Sequence, residues 1–171
     1  MSIPVTAPTV PAWFPTAEYQ TRSRLRRLMA ANGIESVDGW HAWAREDIGR
    51  YWDTAVKDLG LQFSAPYSSV VEMADGPAFP EWFVGGRFNY VANALDRYSA
   101  GPEAQKTAII WEGDDGAERN ITFRQLHRET NRLANVLREQ GIARGDVVGI
   151  FLPMLPETVA TVLACGKIGA I

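Results

Sequence analysis

The chain has 171 residues, 46% of them hydrophobic and 22% charged, and carries a formal net charge of −3. That length allows one ordinary domain or a domain with an appendage, and the composition excludes a disordered tail. A net negative chain lacks a global basic field, which argues against nucleic acid or anionic lipid as its partner.

Residues 1–15 contain Pro4, Pro8, Pro11 and Pro15, a density that blocks helix and ladder hydrogen bonds and predicts an extended arm. Trp13 and Phe14 are expected to dock that arm on the body. Thr16 is the expected N-cap of a helix running to about Ala31, with Glu18 at its positive end and Asn32-Gly33 stopping it. Arg22, Arg24, Arg26 and Arg27 make this helix basic. A solvated face, neutralised by Glu18 and the acidic helix downstream, is the expectation over a phosphate or nucleic-acid site.

From Ser36 to Gly60 the residues Trp40, Trp43, Ile48, Trp52, Val56 and Leu59 recur at helical steps. Gly39 and Gly49 weaken one long helix and predict two shorter ones. The aromatic stripe reads as core, and His41 as a packing residue. Residues 61–82, with Pro66, Gly76, Pro77 and Pro80, read as a connecting strap. A composition shift near residues 75–85 separates a helical, aromatic appendage over 1–81 from the start of an alternating α/β domain over 82–171.

In the rear region, Asn89 follows a glycine turn and is placed to cap a helix with Val91, Leu95 and Tyr98 on one face, ended by Gly101-Pro102. Residues 107–111 predict a strand, Asp114-Asp115-Gly116 a tight turn, and residues 118–121 the returning strand. Thr122-Phe123-Arg124-Gln125 has the form of a capping box, stapled by Ile121 and Leu126. The helix it opens presents Phe123, Leu126, Thr130, Leu133, Ala134 and Leu137 as one stripe, with Gly141 as its left-handed cap. Residues 147–152 form an unalternating apolar run, which predicts a parallel strand covered on both faces. Pro156 suits the first position of a helix that is apolar nearly all round through Lys167, hence buried on both sides. A crossover beginning at Val147 requires a returning strand after Ile171, so the sheet is expected to be incomplete.

These segments resemble, in order and spacing, the AMP-forming acyl-CoA synthetases of the acetyl-/propionyl-CoA synthetase type. The resemblance rests on Trp82-Phe83-Val84-Gly85-Gly86-Arg87-Phe88-Asn89, Asn93-Ala94-Leu95-Asp96-Arg97, Ile110-Trp111-Glu112-Gly113-Asp114-Asp115-Gly116 and Asn131-Arg132-Leu133-Ala134-Asn135. It continues through Gly145-Asp146-Val147-Val148, Leu152-Pro153-Met154, Pro156-Glu157 and Ala164-Cys165-Gly166-Lys167-Ile168-Gly169-Ala170-Ile171. It is strong over residues 82–171 and looser over residues 16–81.

The resemblance implies an α/β adenylate-forming ligase, here as a helical N-terminal arm followed by the first part of the large domain. The whole enzyme would join a small carboxylic acid, MgATP and CoA into acyl-CoA, AMP and pyrophosphate. The implied partner of this portion is the remainder of the synthetase chain, its own role being structural. The family's phosphate loop (a Ser/Thr/Gly run ending in lysine), its metal-binding glutamate and its catalytic lysine have no counterpart among these residues. No catalytic, cofactor-binding or metal residue is therefore assigned, and no cofactor is expected to bind this portion alone.

Read without the resemblance, Gly85-Gly86-Arg87 offers a conceivable anion contact, although a turn serving the Asn89 cap is the simpler account. Asp114-Asp115 reads as a solvated turn, and His127 has no nucleophile or paired carboxylate at useful spacing. The lone Cys165 reads as a small buried hydrophobe. An alternative function is a stand-alone protein-interaction module derived from such a ligase, and self-association through the apolar helix 156–168 is a further expectation. No apolar run reaches the ~20 residues of a membrane span, and the first residues lack a signal-peptide layout. With one cysteine, a cytoplasmic setting is expected.

Overall fold

The computed structural model describes residues 13–171; Pro4, Pro8 and Pro11 of the expected arm lie outside them. The described residues pack as two compact units, one up to Leu59 and the other Gly60–Ile171.

The first unit is helical: α1 (Ala17–Arg22), α2 (Arg24–Ala31), α3 (Val37–Glu46) and α4 (Ile48–Leu59). Thr16 caps α1 as expected, its Oγ1 accepting from the Tyr19 N–H at 3.2 Å. The single helix expected to reach Ala31 is instead broken at Ser23, whose backbone is extended. The Ser23 hydroxyl accepts from the Arg26 N–H and starts α2 afresh, the competition with helical bonding that serine brings to a helix interior.

The two helices expected between Ser36 and Gly60 are present, but they part at Asp47 and not at a glycine. Asp47 is extended and its Oδ1 accepts from the Arg50 N–H at 2.9 Å, capping α4. Buried Trp40 stacks on Trp43 at 4.9 Å and meets Tyr51 edge-on, and Val56 is buried, so this part of the stripe is core. Trp52 and Leu59 are exposed, which corrects the reading at those positions. His41 is exposed, which corrects its reading as a packing residue. Lying one position past Trp40, it is turned about 100° around the helix axis from the buried face. Trp13 and Phe14 are also exposed, with Trp13 meeting the exposed Tyr19 edge-on at 5.6 Å. The basic face is engaged within this unit: Arg22 pairs with Glu18, Arg24 with Asp58, and Arg26 donates to the Glu35 carbonyl.

The second unit contains β1 (Ser69–Glu72), β2 (Glu81–Val84), α5 (Tyr90–Ala94), β3 (Thr107–Glu112), β4 (Glu118–Thr122), α6 (Phe123–Glu139) and α7 (Pro156–Ile168). The strap over 61–82 is a correction, because β1 and β2 form an antiparallel hairpin with Val71 opposite Trp82. That pairing places residues 60–81 in the second compact unit. The helix expected to run from Asn89 to Tyr98 is also shorter: α5 ends at Ala94 and a 3-10 turn follows over Asp96–Tyr98. Gly101-Pro102 then opens a second 3-10 turn, Gly101–Gln105.

The hairpin of β3 and β4 and the capping box of α6 match the sequence. The Thr122 hydroxyl accepts from the Gln125 N–H at 3.2 Å, and the Gln125 side chain accepts from the Thr122 N–H at 2.8 Å. The core gathers Val91, Leu95, Leu126 and Ala160, with Ile109, Ile121 and Leu163 packed against them. Cys165 is buried, as expected.

Residues 147–152 are extended but make no strand among the described residues. The Ile171 N–H donates to the Asp146 carbonyl and the Val148 N–H to the Ile171 carbonyl, both at 2.8 Å. This is parallel register with Ile171 opposite Val147. Residues 149–152 have no backbone partner among the described residues, and without a ladder the run does not become a strand. Val148 and Ile150 face α7 across a small cavity, whereas Val147 and Phe151 point the other way and are 76% and 103% exposed. Helix α7 is likewise covered on one side only. Ala160, Ala164 and Cys165 are buried, while Val159 and Val162 are exposed. Pro156 does occupy its first turn. The architecture is α/β with short, incomplete sheets.

Candidate functional site

The end of β2 shapes the first polar feature. Phe83 holds φ of 51° and Gly85 φ of 72°, and the Gly86 N–H donates to the Phe83 carbonyl at 2.8 Å. A bulky residue with positive φ is an uncommon backbone state, and here it swings the chain out of the hairpin. Arg87 follows, with its backbone pinned on both sides. Its N–H donates to the Ala65 carbonyl at 2.9 Å, and its carbonyl accepts from the Ser64 N–H at 2.8 Å.

Asn89 then does two things. Its Oδ1 accepts from the Val91 N–H at 2.9 Å, the cap expected from sequence. Its Nδ2 also donates to the carbonyls of Gly166 and Lys167, at 3.1 and 3.2 Å. One amide thus starts α5 and closes the last turn of α7. The second role joins residues 77 and 78 positions apart, which no local pattern could signal. Gly166 permits this approach. A Cβ there would come within 2.3 Å of the Tyr90 hydroxyl, which lies against α7 and donates to the Val162 carbonyl. Burial raises the Tyr90 phenol above its ordinary value, with the nearby Cys165 adding to the effect. Gly169 ends α7 with φ of 80°, a left-handed position where a side chain is strained.

Between the 85–89 turn and the end of α7 lies an open cleft of about 760 Å³. Arg87, Arg144 and Lys167 contribute cations to its lining, and no acidic residue does. Lys167 is tied back to Asp96, Nζ to Oδ1, at 2.6 Å. The same carboxylate oxygen lies 3.4 Å from His127 Nε2, and Asn131 Nδ2 is 3.1 Å from that ring nitrogen. His127 therefore belongs to a structural cluster joining the 96–98 turn, α6 and α7. It faces no Ser or Cys nucleophile in that cluster, so nothing here has the form of an acid–base pair acting on a substrate.

A second clamp holds the β3–β4 hairpin to the start of α7. Trp111 Nε1 donates to the Met154 carbonyl at 2.7 Å. Arg119 forks onto both carboxylate oxygens of Glu157, at 2.7 and 3.2 Å. Those bonds hold the Glu157 carboxyl below the usual carboxylate range and raise the Arg119 guanidinium in turn. Asp114 and Asp115 stand exposed at the hairpin tip, where Asp115 Oδ1 accepts from the Ala117 N–H as a turn residue does. Among the described residues no group of three or more His, Cys, Asp or Glu could hold a metal ion, and no helix is long and apolar enough to cross a membrane.

Two family models match in tandem. "Acetyl-coenzyme A synthetase N-terminus" covers residues 37–94 and "AMP-binding enzyme" covers residues 96–171. Among curated proteins, the acetyl-coenzyme A synthetase of Gemmatimonas aurantiaca is 40% identical over 139 residues, which is 76% of this chain and 21% of that protein. That of Methylorubrum extorquens strain PA1 is 46% identical over 158 residues, 84% of this chain and 24% of that one. Among solved structures, the acetoacetyl-CoA synthetase from Streptomyces lividans superposes with a TM-score of 0.87 at 26% identity. The match covers 95% of this chain and 26% of that one. The chain thus spans about a quarter of the length of the relatives it resembles.

Proposed function

The chain belongs to the AMP-forming acyl-CoA synthetases, as an N-terminal portion, and from that premise we propose that it serves as the opening part of an ATP-dependent enzyme that makes acyl-CoA from a small carboxylic acid. In the whole enzyme the carboxylate attacks the α-phosphate of MgATP, expelling pyrophosphate and forming an acyl-adenylate. The thiol of CoA then attacks the acyl carbon, loses its proton and displaces AMP, leaving the thioester. Such chemistry needs a phosphate-cradling loop and cations placed on the developing charge. The residues described here supply neither that loop nor a metal-ligating group, so no step of the reaction is assigned to them. Their role is structural: they brace the subdomain on which the rest of the synthetase builds, and that remainder is their partner.

The observation that carries this reading is the half-covered layer at 146–152. It has one face toward α7, the other open, and a parallel register begun with Ile171. An apolar layer of this kind in an α/β protein is built to be covered on both sides. The proposed boundary between appendage and adenylation domain lies near residue 81, at the start of β2, and so differs from the division between compact units after Leu59. A stand-alone interaction module derived from such a ligase would share both the open face and the tandem family match, and the activity of a folded chimera separates the two readings.

The test is a chimera in which this chain replaces the matched stretch of the Gemmatimonas aurantiaca acetyl-coenzyme A synthetase. The folded chimera is expected to form acetyl-CoA and AMP, whereas the chain alone releases no pyrophosphate from MgATP with any short carboxylate. Pyrophosphate release by the chain alone, or a folded but inactive chimera, overturns the proposal.

A further inference from the structure

The cleft between the 85–89 turn and the end of α7 is the polar feature that the structural role leaves unexplained. Its lining carries three cations and no carboxylate, in a chain whose net charge is −3. Lys167 is committed to Asp96. Among the described residues the side chains of Arg87 and Arg144 have neither an ion pair nor a hydrogen bond, and Asp146 turns its own carboxylate back onto the Ala143 N–H. Both arginines are presented on firm supports. The backbone of Arg87 is bonded to Ala65 and Ser64, and the stem of Arg144 lies against Gly169, 3.1 Å from where a Cβ would sit. Gly85 and Gly86 place no side chain between the cleft and solvent.

One effect works against an anion here, since α7 ends in the same cleft and its carbonyl end is partly negative. Those carbonyls are already engaged, however. Asn89 Nδ2 donates to Gly166 and Lys167, and the Ala170 N–H to Cys165. With the helix end satisfied, the two unpaired guanidiniums decide the sign of the site.

We propose that Arg87 and Arg144 form a binding site for a phosphate group. Guanidinium forks suit tetrahedral oxyanions because two N–H groups meet two oxygens at once, a geometry that water or a single ammonium does not reproduce. The cleft is open and wide enough for a phosphate that is part of a larger molecule, so free phosphate and a nucleotide phosphate are both admissible sources. The site is independent of the synthetase reaction and stands or falls apart from it.

The experiment follows amide chemical shifts of the chain during titration with inorganic phosphate, ADP and CoA, each without metal. Saturable shifts are expected at residues 85–89 and 166–169. Arg87→Gln and Arg144→Gln are each expected to weaken binding by about tenfold, in line with the loss of one charge-assisted contact. Arg128→Gln, on the exposed face of α6, is expected to leave it unchanged. Both cleft residues are exposed, so their variants should keep the fold; if one does not, the other carries the comparison. Saturation by phosphate itself assigns the site to a bare phosphate group, and saturation by ADP or CoA only assigns it to a nucleotide phosphate. No saturable shift with any of the three overturns the proposal, as does an Arg128→Gln effect equal to that of Arg144→Gln, which would mean diffuse charge attraction.

Discussion

Glu157 and Gly166 show how single residues of α7 are set by partners far away in sequence. The Arg119 fork holds the Glu157 carboxyl below its ordinary range, so the folded state binds that proton less readily than the unfolded chain does. The pair's contribution is therefore present above the unfolded carboxylate pKa and is lost as pH falls through the lower, folded value. Arg119→Ala is expected to move the Glu157 titration, followed by carboxyl-carbon NMR, up toward the ordinary range and to flatten the acid side of the stability curve. An unmoved titration would mean that the ion pair is not formed in solution. Gly166 is constrained by space. An added Cβ would meet the Tyr90 hydroxyl at 2.3 Å and its ring carbons at 2.4 and 2.5 Å. Gly166→Ala is expected to cost about 1–3 kcal/mol in urea unfolding, the usual range for overpacking. Tyr90→Phe should not rescue it, because the ring remains, whereas Tyr90→Ala in the same chain should make the second change cost less.

At the scale of elements, what could be read from sequence was what neighbours along the chain decide. The capping box of α6 is local chemistry, complete within four residues, and both of its reciprocal bonds are present. Thr122→Ala is expected to lower stability by about 1 kcal/mol, and Gln125→Ala by less, since it leaves the hydroxyl-to-backbone bond intact. Equal effects from the two, measured by thermal unfolding, would mean that the caps act through packing. The β1–β2 hairpin was not legible, because residues 69–72 pair with residues 81–84 across a proline-bearing loop that reads as irregular. The break at Ser23 was missed for a related reason: a serine in a helical run can as easily cap a new helix as continue the old one. Residues 147–152 show the converse: their apolar composition reads as a parallel strand covered on both faces, but no strand forms among the described residues and Val147 and Phe151 are exposed, because no ladder pairs residues 149–152. In the cleft, Arg87 could be singled out beside its glycines. Arg144, 57 positions further along by residue number, could not be joined to it until α7 brought the two to one opening.

Across the whole second unit, the uncovered apolar layer decides how the chain behaves alone and within a larger enzyme. Val147 and Phe151 lie on one open face with Met154 and Ile171 also exposed, and residues 149–152, without a backbone partner among the described residues, lie beside them. An edge and an apolar face exposed together favour self-association. The chain alone is therefore expected to sediment as concentration-dependent oligomers, and Phe151→Asp to shift it toward monomer. That change should leave the unfolding midpoint nearly unmoved, since a fully exposed side chain contributes little burial to lose. Within the synthetase chimera the expectation reverses. If the rest of the enzyme covers this face, the same aspartate becomes a buried, unpaired charge, whose desolvation is costly. Loss of acetyl-CoA formation together with a lowered melting temperature is then the expected result. A chimera that tolerates Phe151→Asp at full stability and activity would mean that this face stays wet in the whole enzyme. The layer at 146–152 would then be an edge exposed for another partner and not the seat of the remaining synthetase chain.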